Sequence, residues 1–145
     1  GSEMCIRDRR LPFKLAVSLN APSDEIRKEI MPITITNPIN ELLKAAEYYY
    51  SKLRRFVTFE YVLLDNVNSD EQCAHHLIKL LENIPCKVNI IPYNETLGKY
   101  KRPANHKIES FIQVLNKHRK NFTILVRWSK GEDINAACGQ LAVNS

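Results

Sequence analysis

Apolar positions recur along the chain with two distinct periods. KLAVSLN at 14–20, FVTFEYVLL at 56–64, KVNIIPY at 87–93 and FTILVRW at 122–128 are short and rich in β-branched or aromatic residues. Turn formers flank each run, and each predicts a strand. Between them the period changes to that of a helix. Ile39, Leu42, Leu43 and Ala46 fall at i, i+3, i+4 and i+7. Cys73, Leu77, Leu80, Leu81 and Ile84 repeat the pattern, as do Ile108, Phe111, Ile112 and Leu115. Ser23 before Asp24 and Glu25 opens a further short helix, and Ser69 or Asp70 suits the cap of the second major one. This alternation of strand and helix predicts an α/β fold with about four parallel strands joined by right-handed, helix-bearing crossovers. No repeat or low-complexity segment interrupts it.

The two faces of those strands differ. One carries Leu15, Val17 and Leu19, then Val57, Phe59, Tyr61 and Leu63, then Val88 and Ile90, then Ile124, Val126 and Trp128. The other carries Ala16, Ser18 and Asn20, then Thr58 and Glu60, then Lys87 and Asn89, then Thr123 and Arg127. A parallel strand covered by helices on both sides is apolar on both. Helices are therefore expected on the apolar face, with the polar face lining a wet or ligand-filled concavity. A curved parallel sheet with a polar inner wall is a barrel or part of one, and its site lies at the strands' C-terminal ends. An open sheet with one solvated face is the alternative.

Length and composition narrow the function little. The 145 residues suit one domain, and 44% hydrophobic with 26% charged residues is ordinary for a globular protein. No run of about 18 apolar residues predicts a membrane span, and no export signal is evident, so a cytoplasmic location is expected. The formal net charge of +5 favours an anionic partner without identifying one. Residues 1–10 follow no periodic pattern and read as a tag or junction segment ahead of a single unit at 11–145.

Cys5, Cys73, Cys86 and Cys138 form no CxxC pair and no CxxxCxxC triplet. No local zinc or cluster site is therefore expected, and no metal ligand is assigned in this chain. Cys73 and Cys86 are expected to be buried small apolar residues. His75, His76, His106 and His118 lack metal-ligand spacing and read as helix-surface residues. Lys99, Lys101 and Arg102 surround Tyr100 in a basic loop suited to RNA phosphate and to stacking on a base. Lys117, Arg119 and Lys120 read as a solvated helix end. The run Tyr48, Tyr49 and Tyr50 is expected to pack on one side.

Four segments at the strand ends carry a more specific signal: AVSLNAPSDEIRKEIMPI, VTFEYVLLDNVN, PCKVNIIPYN and VRWSKGEDINAACGQLA. In this order and spacing they resemble the RlmN/Cfr family of radical S-adenosylmethionine (SAM) methyltransferases, over about residues 11–143. The resemblance implies the C-terminal part of a radical-SAM partial (β/α)6 barrel. It also implies SAM and a 4Fe–4S cluster as cofactors, with methylation of adenine in 23S ribosomal RNA. The RlmN-type, adenine-C2 reaction is preferred, and transfer RNA is a second candidate substrate.

Adenine C2 is not nucleophilic, so the family is understood to methylate a cysteine first, activate its S-methyl group with a 5′-deoxyadenosyl radical, and release the RNA adduct through a disulfide with a second cysteine. Cys138 matches the methyl-carrying cysteine; Lys130, Gly131, Glu132 and Asp133 ahead of it suit a turn into a helix whose dipole favours a thiolate. Ser18, Leu19 and Asn20 match the SAM-contacting tripeptide, with Asn20 where many members carry His. Asn94 matches a further SAM contact, and Glu60 and Asn89 are weaker candidates on the inner face. An ion pair with Arg127 or Lys87 is the competing account of Glu60.

The CxxxCxxC loop, the Gly-Glu-Pro-like stretch and the resolving cysteine precede this region in the family. The isolated chain is accordingly expected to generate no radical, to depend elsewhere on an electron donor for the cluster, and to self-associate through an exposed first strand. A non-catalytic α/β RNA-binding module derived from the enzyme is the main alternative. An unrelated nucleotide-binding protein is disfavoured, because no GxGxxG or GxxxxGK[ST] follows any strand.

Overall fold

The computed structural model describes residues 15–31, 37–94 and 98–128. The elements run β1 Ala16–Ser18, α1 Asp24–Ile30, α2 Ile39–Leu53, β2 Thr58–Leu63, α3 Glu71–Leu81, β3 Cys86–Pro92, α4 Asn105–His118 and β4 Phe122–Val126. All eight occur in the predicted order and overlap the predicted segments, with β3 starting one residue early at Cys86 and α2 running on to Leu53. Strands β1, β2 and β4 are shorter than the apolar runs that announced them, β1 giving way at Leu19 and β4 stopping before Arg127 and Trp128, whereas β3 keeps the predicted length one residue earlier.

The strands form one parallel sheet in the order β1-β2-β3-β4. Parallel neighbours in chain order, joined by crossovers of one hand, place successive helices on the same side. That is the winding of a barrel wall; a doubly wound sheet reverses its strand order partway.

Burial agrees with this reading. Val57, Phe59, Tyr61, Leu63, Val88 and Ile90 are fully buried, together with Leu77, Leu81, Ile108, Phe111 and Leu115 from the helices. The heptad-like stripes on α2, α3 and α4 thus meet the odd-numbered side chains of β2. Cys73 and Cys86 lie in the same core, as expected. Burial pushes both thiols from 9.0 to about 12, aided at Cys73 by Asp70.

Local chemistry sets the helix starts. Ser23 Oγ accepts from Ile26 N at 3.3 Å, and of the two candidates for α3 it is Asp70 that caps, its Oδ1 accepting from Cys73 N at 2.8 Å while Ser69 Oγ donates to Leu64 O. Helix α2 has Pro38 at its N-cap, with no capping side chain, and Asp24 Oδ1 accepts from Ile39 N across the α1–α2 connection at 2.9 Å. At its other end Arg54 turns left-handed at φ 55° and returns its N–H to Tyr50 O.

Two expectations about faces need correction. Trp128 does not join the buried face; it lies beyond β4 and is 43% exposed. Once the strand ends, the alternation that assigned it to the core no longer holds. The inner face is also less polar than its named residues suggested, because Val62, Ile91 and Leu125 share it, Leu125 at 51% exposure.

Candidate functional site

The parallel register brings three of the candidate residues into line. Ser18 stands opposite Glu60 and Glu60 opposite Asn89, with Leu125 completing the row. The row below it is Ala16, Thr58, Lys87 and Thr123. Facing strands lie about 4.8 Å apart, so neighbouring side chains of a row reach one ligand. Ser18 is exposed, and Glu60 and Asn89 are half-buried. No ion pair joins Glu60 to another described residue, so Lys87 and Arg127 leave its carboxylate available. A shallow cavity of about 180 Å³ opens on this face, lined by Thr58, Lys87, Asn89, Thr123, Leu125 and Arg127 among others.

At the upper end of β1 the backbone leaves the strand. Leu19 N and Asn20 N both donate to Glu60 O, at 2.9 and 3.2 Å, and Asn20 adopts φ 60°. That left-handed conformation is one that Asn tolerates better than most side chains. Asn20 then substitutes for the missing strand: its Oδ1 accepts from Val62 N at 2.8 Å, and its Nδ2 faces Met31 Sδ at 3.4 Å. With 9% exposure, its side chain is committed within the protein, unlike that of Ser18 beside it.

Two residues with no expected role organise this corner. Asn68, fully buried, donates from Nδ2 to Asn20 O at 2.7 Å and Val62 O at 2.8 Å, and accepts at Oδ1 from Leu64 N at 2.8 Å. Its carbonyl accepts from Tyr61 Oη at 2.7 Å, and burial raises the pKa of that phenol well above the ordinary value. Arg27, 7% exposed, donates to Ser18 O and Asn37 O, each at 3.1 Å. Desolvation lowers the guanidinium pKa and Asp24 opposes the shift. A polar residue in a turn after a strand was the available signal for Asn68; Arg27, within a charged helix, offered none.

The other strand ends converge on the same corner. Tyr93 N donates to Leu63 O at 3.2 Å, carrying the pairing to the edge of the half-buried Asn94. Asp65 N donates to Lys101 O at 2.8 Å, joining the β2–α3 turn to the basic loop. Tyr100 packs edge-on against Tyr93, with Lys99 Nζ 5.3 Å from its ring centre and its hydroxyl 3.5 Å from Glu29 O. In that position Tyr100 ties the loop to α1. Lys99 and Lys101 are exposed, and Arg102 is half-buried with a bond to Asn105 Oδ1.

Cys138 and the turn before it lie outside the described residues, as does Cys5. Among the described residues no cluster of His, Cys, Asp or Glu could hold a metal ion, and no helix is long and apolar enough to cross a membrane.

No protein-family model matches the chain. It is 50% identical over 131 residues to the dual-specificity RNA methyltransferase RlmN of Desulfosudis oleivorans, covering 90% of this chain and 35% of that protein. Against the protein of the same name from Syntrophus aciditrophicus it is 43% identical over 143 residues, covering 98% and 38%. The chain thus spans little more than a third of these relatives, in their C-terminal part. Its fold superposes with TM-score 0.80 and 42% identity on a radical SAM methyltransferase from Sphaerobacter thermophilus, covering 94% of this chain and 40% of the other. A domain of pyruvate-formate lyase-activating enzyme from Bacteroides vulgatus, 18% identical with TM-score 0.66, shares the fold alone, over 86% of this chain and 74% of its own length. The sheet is part of a radical-SAM partial barrel.

Proposed function

Given that this chain is similar to the C-terminal part of the RlmN-type radical-SAM RNA methyltransferases, we propose that it forms the SAM-facing wall of an enzyme that methylates C2 of an adenine in 23S ribosomal RNA. The observation that carries this reading is the row Ser18, Glu60 and Asn89, which faces the open side of the sheet. A hydroxyl, a carboxylate and an amide supply donors and acceptors for the hydroxyls and amino group of a nucleoside.

The chain's own residues would bind and orient. Ser18 and Asn94 flank the ligand at the strand ends, with Leu19 and Asn20 shaping the turn between them. Glu60 and Asn89 contact it from the wall. SAM, when bound, supplies the methyl group and the source of the radical. Cys138 accepts the methyl group and presents it to the base, within a reading that rests on the sequence DINAACGQLA. Lys99, Lys101 and Arg102 meet the RNA backbone, and transfer RNA is the second substrate to test. The 4Fe–4S cluster has no ligands among the described residues, so the chain alone is proposed to be inactive.

Calorimetric titration with SAM and with S-adenosylhomocysteine tests the reading. Binding that falls at least tenfold in Ser18→Ala and in Asn89→Ala supports it. Absence of binding, with RNA affinity retained and unchanged in Cys138→Ser, overturns it in favour of a non-catalytic RNA-binding module.

A further inference from the structure

Arg27 stands out among the charged residues because it is buried with no ion-pair partner among the described residues. It is 7% exposed, and no carboxylate among the described residues lies within ion-pair distance of it. Asp24, one turn earlier, directs its Oδ1 to Ile39 N instead. The guanidinium is held by two main-chain carbonyls, Ser18 O and Asn37 O, while its Nε is buried with no partner. A buried charge satisfied this incompletely destabilises a fold relative to an apolar side chain of similar size. Stability alone therefore does not account for an arginine here.

Its contacts supply a reason. Four main-chain groups of the turn leaving β1 are held from outside it. Ser18 O is held by Arg27, Leu19 N and Asn20 N by Glu60 O, and Asn20 O by Asn68. The Ser18 side chain is left facing the open side of the sheet. Ser18 O is thus the last strand carbonyl before the left-handed residue, and the planar fork of Arg27 ties it to the start of α2.

We propose that Arg27 is a positioning residue: it fixes the Ser18 carbonyl, and through it the direction of the Ser18 hydroxyl toward the bound nucleoside. This rests on the SAM-binding reading above. Arg27 touches no ligand itself. A lysine replaces the planar fork with a single ammonium, and a methionine has no donor at all.

The test compares the full chain with Arg27→Met and Arg27→Lys. Three quantities are measured: amide hydrogen exchange by NMR, affinity for S-adenosylhomocysteine, and the thermal midpoint. In Arg27→Met, exchange at Leu19 and Asn20 is expected to rise at least tenfold while Tyr61 and Ile90 stay protected, and affinity to fall at least tenfold. Arg27→Lys is expected to lie between the two on both measures. Unchanged exchange at Leu19 and Asn20, or unchanged affinity alongside raised exchange, overturns the proposal. If Arg27→Met does not fold, Arg27→Lys decides, since wild-type exchange at both amides in that variant is equally contrary. Absence of S-adenosylhomocysteine binding by the unaltered chain defeats the function reading instead, and the exchange data still judge the role of Arg27.

Discussion

Asn68 illustrates how one buried amide stabilises several strand ends. Its side chain satisfies Asn20 O, Val62 O and Leu64 N at one buried position. Leaving a buried backbone group unpaired costs about 1–3 kcal/mol. Asn68→Ala is therefore expected to lose about 3 kcal/mol or more, measured by urea unfolding; a loss under about 1 kcal/mol would refute the assignment. Cys73 and Cys86 make a different residue-scale prediction. Their folded pKa near 12 lies above the ordinary 9.0, because burial favours the neutral thiol. The unfolded chain thus releases its protons first, so their contribution to stability is intact below pH 9 and is lost as the pH rises from 9.0 toward about 12. At pH 8 both cysteines are expected to resist iodoacetamide in the native protein and to react in urea, as peptide mass mapping would show.

Among the elements, α3 has the clearest local origin. Asp70 caps it, Glu71 complements the dipole in its first turn, and Cys73, Ala74, Leu77, Ile78 and Leu81 form one buried stripe. Asp70→Ala is expected to cost about 1 kcal/mol, whereas Glu71→Ala is expected to cost less than half of that. Equal losses in chemical denaturation would show that the Asp70 bond contributes nothing specific. Strand β1 has the opposite character. Among the described residues only Ala16–Ser18 pair as a strand, and Asn20 continues the ladder with its side chain. Leu15 and Val17 at the strand start are only half-buried, so packing does little to extend it.

For the molecule as a whole, charge and edges are the governing features. With a net charge of +5, and with Lys99 and Lys101 exposed on the side where the strand ends meet, binding to RNA is expected to weaken steeply with salt. Replacing both lysines by alanine is expected to reduce the slope of log K against log salt by about 1 for each phosphate contact removed. An unchanged slope would locate the RNA surface elsewhere. The Asp65–Lys107 pair at 3.3 Å is solvent-accessible and contributes little to stability or binding. Among the described residues β1 has no neighbour on its outer side, and an unpaired edge invites pairing with a second copy. Light scattering is expected to show association that grows with concentration, and a monodisperse monomer would contradict it.

The sequence by itself determined the order and kind of the elements, the start of α1 at Ser23, the cap of α3 as one of Ser69 and Asp70, the buried stripes and the burial of Cys73 and Cys86. These follow from spacings of two to four residues, within which backbone geometry dictates which side chains share a face. Its four strand-end segments also pointed to the family that the relatives bear out. Only the tertiary structure decided that Ser18, Glu60 and Asn89 share a row, since register between strands depends on the whole packed face. It alone showed that Asn20 turns into the ladder, that Asn68 secures it, and that Arg27 holds the strand end. The bonds from Val62 to Asn20 and from Asn68 to Asn20 span 42 and 48 residues. No local periodicity encodes contacts at that separation; they form once burial has excluded water and left each polar group to find a partner within the protein.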